Sequence, residues 1–153
     1  MALYLVQHGI SLPKEQDPDQ GLSETGIEQV QHIANVARNY QIPVAAIHHS
    51  GKKRACRTAE IFAQALVPKG GIKEINGLKP IDDVTSLAQS LRNDTNIMLF
   101  GHLPFMERLV SFLTTGNIDR RVIKFQNSGI VCLDQDSEDQ TWYIKWTLMP
   151  NID

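Results

Sequence analysis

Leu3 to Val6 form a continuous apolar run that meets the polar pair Gln7-His8 and is bounded by Gly9 and Pro13. A run apolar at every position suits a strand covered on both faces, as central parallel strands are. Residues 10–21 hold Pro13, Pro18, Gly21 and several charges, and read as a loop. Ser23 suits a helix cap, with Glu24 and Glu28 in the first turns, and Ile27, Val30, Ile33, Ala34 and Ala37 then recur at helical spacing to about Tyr40. After Pro43, Val44 to Ile47 predicts a second buried strand that stops at His48-His49-Ser50-Gly51. Ala55, Thr58, Ala59, Phe62, Ala63 and Leu66 mark a helix over Lys52 to Leu66, and Pro68 to Gly71 form a loop before a short strand, Ile72 to Ile75. A helix capped by Asp82 or Asp83 runs to about Asn93, Ile97 to Phe100 is a fourth strand broken by Gly101, and a further helix reaches Thr115. Pro104 lies in its first turn, the position proline tolerates best. Gly129 to Leu133 and Thr141 to Leu148 read as a hairpin around the polar stretch Asp134 to Gln140, with Trp142, Ile144 and Trp146 on one face and Tyr143 and Lys145 on the other.

Strand and helix alternate four times before the hairpin. That order predicts an α/β fold, a three-layer α/β/α sandwich whose mostly parallel sheet carries helices on both faces and ends in an antiparallel pair. A length of 153 residues favours one domain, residues 1–153, with a sizeable core. The 42% hydrophobic and 21% charged content is ordinary globular usage and excludes disorder, a coiled coil or a collagen-like repeat. A net charge of −2 argues against nucleic acid or a membrane surface as partner, yet leaves room for a local anion pocket. Cys56 and Cys132 make neither metal spacing nor a disulfide framework. With no basic leader and no apolar run near the roughly 18 residues of a membrane span, they point to a reducing, cytoplasmic setting.

Ligands of such sheets bind at the carboxyl ends of the strands. Strand one ends in Gln7-His8-Gly9. Strand two ends in His48-His49-Ser50-Gly51, followed by Arg54 and Arg57 on the next helix. Strand four ends in Gly101-His102. Imidazoles, arginine forks and helix N-termini at one edge suit a phosphoryl group, and histidine is also a nucleophile towards phosphorus.

These segments are recognisable in order. Leu5-Val6-Gln7-His8-Gly9 resembles the Arg-His-Gly strand end of the histidine phosphatase superfamily. Leu22-Ser23-x-x-Gly26 resembles its following helix start, His49-Ser50-Gly51-x-x-Arg54-Ala55-x-x-Thr58-Ala59 its arginine-bearing segment, and Gly101-His102-x-Pro104 its second histidine motif. The resemblance runs from residue 3 to about 115, and the short length is most like the SixA-type phosphohistidine phosphatases of this phosphoglycerate mutase-like fold.

The resemblance implies catalytic roles for three residues. His8 matches the nucleophile, forming a phosphohistidine intermediate. Arg54 matches the phosphate arginine. His102 matches the second histidine, expected to be protonated and to donate to a phosphoryl oxygen. Gln7, Gly9, His49, Ser50, Arg57 and Lys14 are further candidates for the phosphate or substrate. Gly9 lets the backbone pass close to the phosphate, and His49 either lines the site or shapes the turn. Asn127-Ser128-Gly129 either offers donors to the phosphate or forms a simple turn. His48 faces the other side of the sheet, so His48 and His49 do not make a zinc site. His32, in mid-helix, is structural. No metal or cofactor is expected.

Two departures from the family pattern stand out. Gln7 replaces the arginine of Arg-His-Gly, so Arg57 or Lys14 is expected to supply the missing charge. Leu103 stands where some relatives carry an acid after the second histidine, and Glu15, Asp17, Asp82 and Asp83 fall in no acid motif. An imidazole leaving group is readily protonated near neutral pH, whereas an alkoxide needs an acid. The expected activity is therefore a metal-independent phosphatase acting on a protein phosphohistidine, with a phosphotransfer or phosphorelay domain as partner. The alternatives are a phosphomonoesterase for a small phosphorylated molecule, or a non-catalytic phosphate-binding regulatory module, motivated by Gln7.

Overall fold

The computed structural model describes residues 1–92 and 94–152. Its order is β1 (Leu3–Gln7), α1 (Glu24–Asn39), β2 (Ala46–His49), α2 (Lys53–Leu66), β3 (Ile72–Glu74), α3 (Val84–Ser90), β4 (Ile97–Gly101), α4 (Phe105–Thr115), β5 (Ile130–Gln135) and β6 (Trp142–Leu148). The six strands form a mixed sheet in the order β3-β2-β4-β1-β5-β6. β1 to β4 run parallel, and β5 pairs antiparallel with both β1 and β6.

Each face of the sheet carries two helices. Tyr4, Val6, Met98 and Phe100 pack against Val30, Ile33 and Ala34 of α1 and Ala59 and Phe62 of α2. Leu3, Leu5 and Leu99 pack against Val84 of α3 and Phe105, Met106 and Leu109 of α4. β1 is buried at all five positions because it lies between β4 and β5 and under both helix layers. This is the three-layer α/β/α sandwich the alternation predicts. No helix among the described residues is long and apolar enough to cross a membrane.

Several predicted boundaries move. β2 covers Ala46–His49 rather than Val44 to Ile47, because its register with β4 runs from Ala46 opposite Ile97 to His49 opposite Phe100. His48 and His49 therefore belong to the strand, and Ser50 is the first residue beyond it. α3 stops at Ser90, with Leu91 extended; its predicted end at Asn93 lies outside the described residues. In β6 the predicted shared face of Trp142, Ile144 and Trp146 is broken. Cys132 pairs with Trp146 but Leu133 pairs with Ile144, so Lys145 is an extra residue that reverses the facing. Trp146 and Leu148 pack on the α1–α2 side, Trp142 and Ile144 on the α3–α4 side.

The start of α1 is fixed against the chain leaving β1. Ser23 caps the helix by accepting from the Gly26 N–H at 3.0 Å, and its own N–H donates to the Ile10 carbonyl at 2.9 Å. A Cβ at Gly26 would collide with that same carbonyl oxygen. Backbone cannot yield as a flexible side chain can, so Gly26→Ala is expected to destabilise the fold by about 1–3 kcal/mol, measured by urea denaturation. A neutral effect would mean that α1 is not seated on Ile10.

Candidate active site

Three strand ends bring the chemistry together. His8 follows β1, Ser50 follows β2, and His102 follows β4, while the first turn of α2 supplies Arg54. The His8 N–H donates to the Gly101 carbonyl at 3.0 Å, which continues the β1–β4 pairing by one residue and sets the two histidines side by side. Their ring centroids are 5.0 Å apart, tilted by 51°.

The tautomer of His8 follows from its partners. Nδ1 lies 2.7 Å from the Gly9 carbonyl oxygen, which can only accept, so Nδ1 carries the proton. Nε2 is then a bare lone pair, and Arg54 Nε donates to it at 3.3 Å. Burial lowers the His8 pKa to about 4; the Gly9 hydrogen bond raises it and the Arg54 charge lowers it further. The ring is therefore neutral at pH 7, as a nucleophile must be. If His8 is the nucleophile that the resemblance implies, its own protonation is expected to lower kcat/KM only on acidification through about 4. A loss of activity centred near 6.5 would contradict this environment for His8.

The same depression has a consequence for stability. Between the ordinary histidine value of 6.5 and about 4, the unfolded chain holds a proton on His8 that the folded chain does not. The contribution of His8 to stability is thus complete above 6.5 and declines as the pH falls towards about 4.

The backbone around His8 is held from several directions. Thr58 Oγ1 accepts from the Gly9 N–H at 2.9 Å and donates to the Arg54 carbonyl at 2.7 Å, tying the chain after β1 to the helix that carries the arginine. Asn127 Nδ2 donates to the His8 carbonyl at 3.0 Å, and the Ser128 N–H donates to the Gln7 carbonyl at 2.9 Å. Asn127 and Ser128 thus brace the end of β1. A Cβ at Gly9 would sit 2.6 Å from Val30 Cγ2, so glycine there reflects close packing on α1. Thr58 falls within the arginine-bearing motif, but its role depends on α2 lying against β1, which local spacing does not reveal.

His102 and Ser50 form a buried pair. Ser50 Oγ lies 2.6 Å from His102 Nε2 and accepts from the Lys52 N–H at 3.3 Å. His102 Nδ1 is buried without a hydrogen-bond partner. Burial, then the charges of His8, Arg54 and Lys52, lower the His102 pKa to about 3. These surroundings disfavour the protonated His102 that the resemblance implies: without an anion beside it the ring is neutral at pH 7. Ser50, in turn, is engaged with His102 rather than open to a phosphate.

Gln7 is 8% exposed, and strand parity sets it with Leu3 and Leu5 towards α3 and α4; its Oε1 has no hydrogen-bond partner. Arg57 makes no bond to His8, Arg54 or His102 among the described residues. Its Nη1 pairs with Glu60 Oε2 at 3.5 Å, and it lines a groove with Leu12, Gly21 and Cys56. Lys14 is exposed on the turn after Pro13 and makes no ion pair among the described residues. His49 shapes the turn, its Nδ1 accepting from the Gly51 N–H at 3.0 Å. His32 is exposed.

No carboxylate among the described residues bonds to His8, Arg54 or His102. Asp17 is held by Lys53 at 2.8 Å and by the Gly21 N–H at 2.9 Å. Asp82 accepts from the Lys79 N–H, Asp83 caps α3, and Glu15 is exposed. No group of three or more His, Cys, Asp or Glu side chains among the described residues is arranged to hold a metal.

The family described as histidine phosphatase superfamily (branch 1) matches residues 3–82. A sequence search of curated proteins finds no match. Among solved structures, the protein histidine phosphatase SixA complexed with tungstate superposes with a TM-score of 0.83 at 23% identity, covering 98% of this chain and 97% of that one. The putative phosphohistidine phosphatase SixA from Agrobacterium tumefaciens gives 0.77 at 24% identity, covering 97% of each chain. A mutant phosphoserine phosphatase from Entamoeba histolytica, in complex with phosphoserine, gives 0.72 at 15% identity, covering 95% of each.

Proposed function

The chain belongs to the histidine phosphatase superfamily, and from that premise we propose that it removes the phosphoryl group from a phosphohistidine borne by another protein. The observation that carries this reading is the bare Nε2 of His8, with Nδ1 tied to Gly9 and the Arg54 guanidinium alongside. In the first step Nε2 attacks phosphorus, the P–N bond of the substrate breaks, and the departing imidazole takes a proton from solvent. In the second, water attacks phospho-His8, the Nε2–P bond breaks, and inorganic phosphate leaves. Arg54 holds the phosphoryl oxygens and balances their charge in both steps. The chemistry requires no metal.

The absence of a carboxylate on this cluster, among the described residues, supports a phosphohistidine over an alkyl phosphate. An imidazole departs readily once protonated near neutrality, whereas an alkoxide without a general acid loses roughly 10²–10⁴-fold. The expected partner is a phosphotransfer or phosphorelay domain. The free thiols of Cys56 and Cys132 suit a cytoplasmic setting. A panel of phosphohistidine protein, phosphoserine and sugar phosphate tests this preference. kcat/KM for the phosphohistidine is expected to exceed the others by about 10² or more, and faster turnover of a sugar phosphate would contradict it. Gln7 favours a second reading, a module that binds phosphate without turnover. Under that reading no substrate of the panel releases phosphate.

A further inference from the structure

We propose that Ser50 is a positioning residue that locks His102 as its neutral Nδ1–H tautomer, so that His102 meets the phosphoryl group as an uncharged hydrogen-bond donor. The proposal rests on the phosphatase reading for its ligand, but the geometry that carries it is independent of turnover. Ser50 is 4% exposed and His102 1% exposed, and Oγ stands 2.6 Å from Nε2.

A count of protons decides the direction of that bond. Ser50 Oγ already accepts from the Lys52 N–H. If its hydroxyl donates to His102 Nε2, every hydrogen-bonding capacity of Ser50 that needs a partner is met. The ring proton then sits on Nδ1, which is buried without a partner. If instead Nε2–H donates to Oγ, the serine hydroxyl proton has no acceptor among the described residues and Nδ1 becomes a bare buried lone pair. The first arrangement leaves one unsatisfied group, the second leaves two, and an unsatisfied group is costly when buried. The single group left over in the first case is a donor, the kind that an anion satisfies. In the second it is a lone pair that would repel phosphoryl oxygens.

The neutral state fits the surroundings of the ring. His8, just after β1, lies beside it, and Arg54 and Lys52 contribute positive charge from α2 and its N-cap. Glu107 of α4 is taken by Arg121 and the Phe125 N–H, so it offers His102 no counter-charge. With ring centroids 5.0 Å apart, His102 lies beside the ring whose Nε2 would carry the phosphoryl group.

The test is nitrogen-15 NMR of the full chain labelled at histidine, recorded without substrate from about pH 5 to about pH 8, where an ordinary histidine titrates. The wild type is expected to show His102 as a neutral Nδ1–H ring throughout. Ser50→Ala is expected to lose that pattern and Ser50→Thr, which keeps the hydroxyl, to retain it. Inorganic phosphate is expected to shift the Nδ1 signal of the wild type. An imidazolium or an Nε2–H ring in the wild type at pH 7 overturns the proposal, and that spectrum alone decides it should Ser50→Ala fail to fold. An unchanged tautomer in folded Ser50→Ala overturns the role of the serine, and a signal indifferent to phosphate overturns the donor role. None of these outcomes depends on turnover, so they are separable from failure of the phosphatase reading.

Discussion

Replacing His8 by alanine is expected to lower phosphohistidine turnover by roughly 10⁴-fold or more, since the variant has no atom to accept the phosphoryl group. The effect should fall on kcat. Arg54 and His102, the groups proposed to meet the phosphoryl oxygens, remain, so binding of the phosphorylated partner should survive and KM should change little. Far-ultraviolet circular dichroism and a denaturation curve would show the variant folded: His8 lies at the end of β1, outside both hydrophobic clusters. Turnover within ten-fold of wild type would remove His8 from the reaction.

Arg54→Lys is expected to cost roughly 10²–10³-fold in kcat, although it preserves the charge. A guanidinium that holds His8 through Nε in the resting site can, once Nε2 bonds to phosphorus, turn its whole fork of N–H groups to the phosphoryl oxygens. An ammonium is a single point donor that cannot do both. Among the described residues Arg54 is the one cation bonded to His8, while Lys52 adds positive charge beside His102 without a side-chain bond to either ring. Gln7 stands where an arginine is usual, Arg57 is paired with Glu60, Lys14 is on an exposed turn, and His102 is neutral at pH 7. For the same reason Arg57→Gln and Lys14→Ala should leave rates nearly unchanged. A lysine at position 54 that sustains wild-type rates would mean that charge alone suffices.

Much of this arrangement is readable from local pattern. The all-apolar run of β1, the helical spacing of α1 and α2, and polar residues at each strand end follow from burial and periodicity, and together they direct attention to His8, Arg54 and His102. What local pattern misses depends on pairing between distant segments. β2 reaches His49 because β4 lies beside it, and that makes Ser50 the first residue beyond the strand. Lys145 interrupts the alternation of β6, an insertion visible only against β5. Arg57 follows Arg54 at a spacing that puts both on related faces, but Glu60, one turn further along, claims it. The charge of His102 is set by burial and by three neighbours on other segments, none of which its own sequence context displays.

If His8 is the nucleophile, phosphorus is carried on its Nε2 during turnover. Rapid quenching of the wild-type enzyme during turnover of a phosphohistidine protein, followed by digestion in base and mass spectrometry, would locate the phosphoryl group and distinguish its two ring isomers. The expected product is an acid-labile phosphoryl group on His8, attached through Nε2. A phosphoryl group on Nδ1, on another residue, or on none while phosphate is released at full rate, would contradict the account.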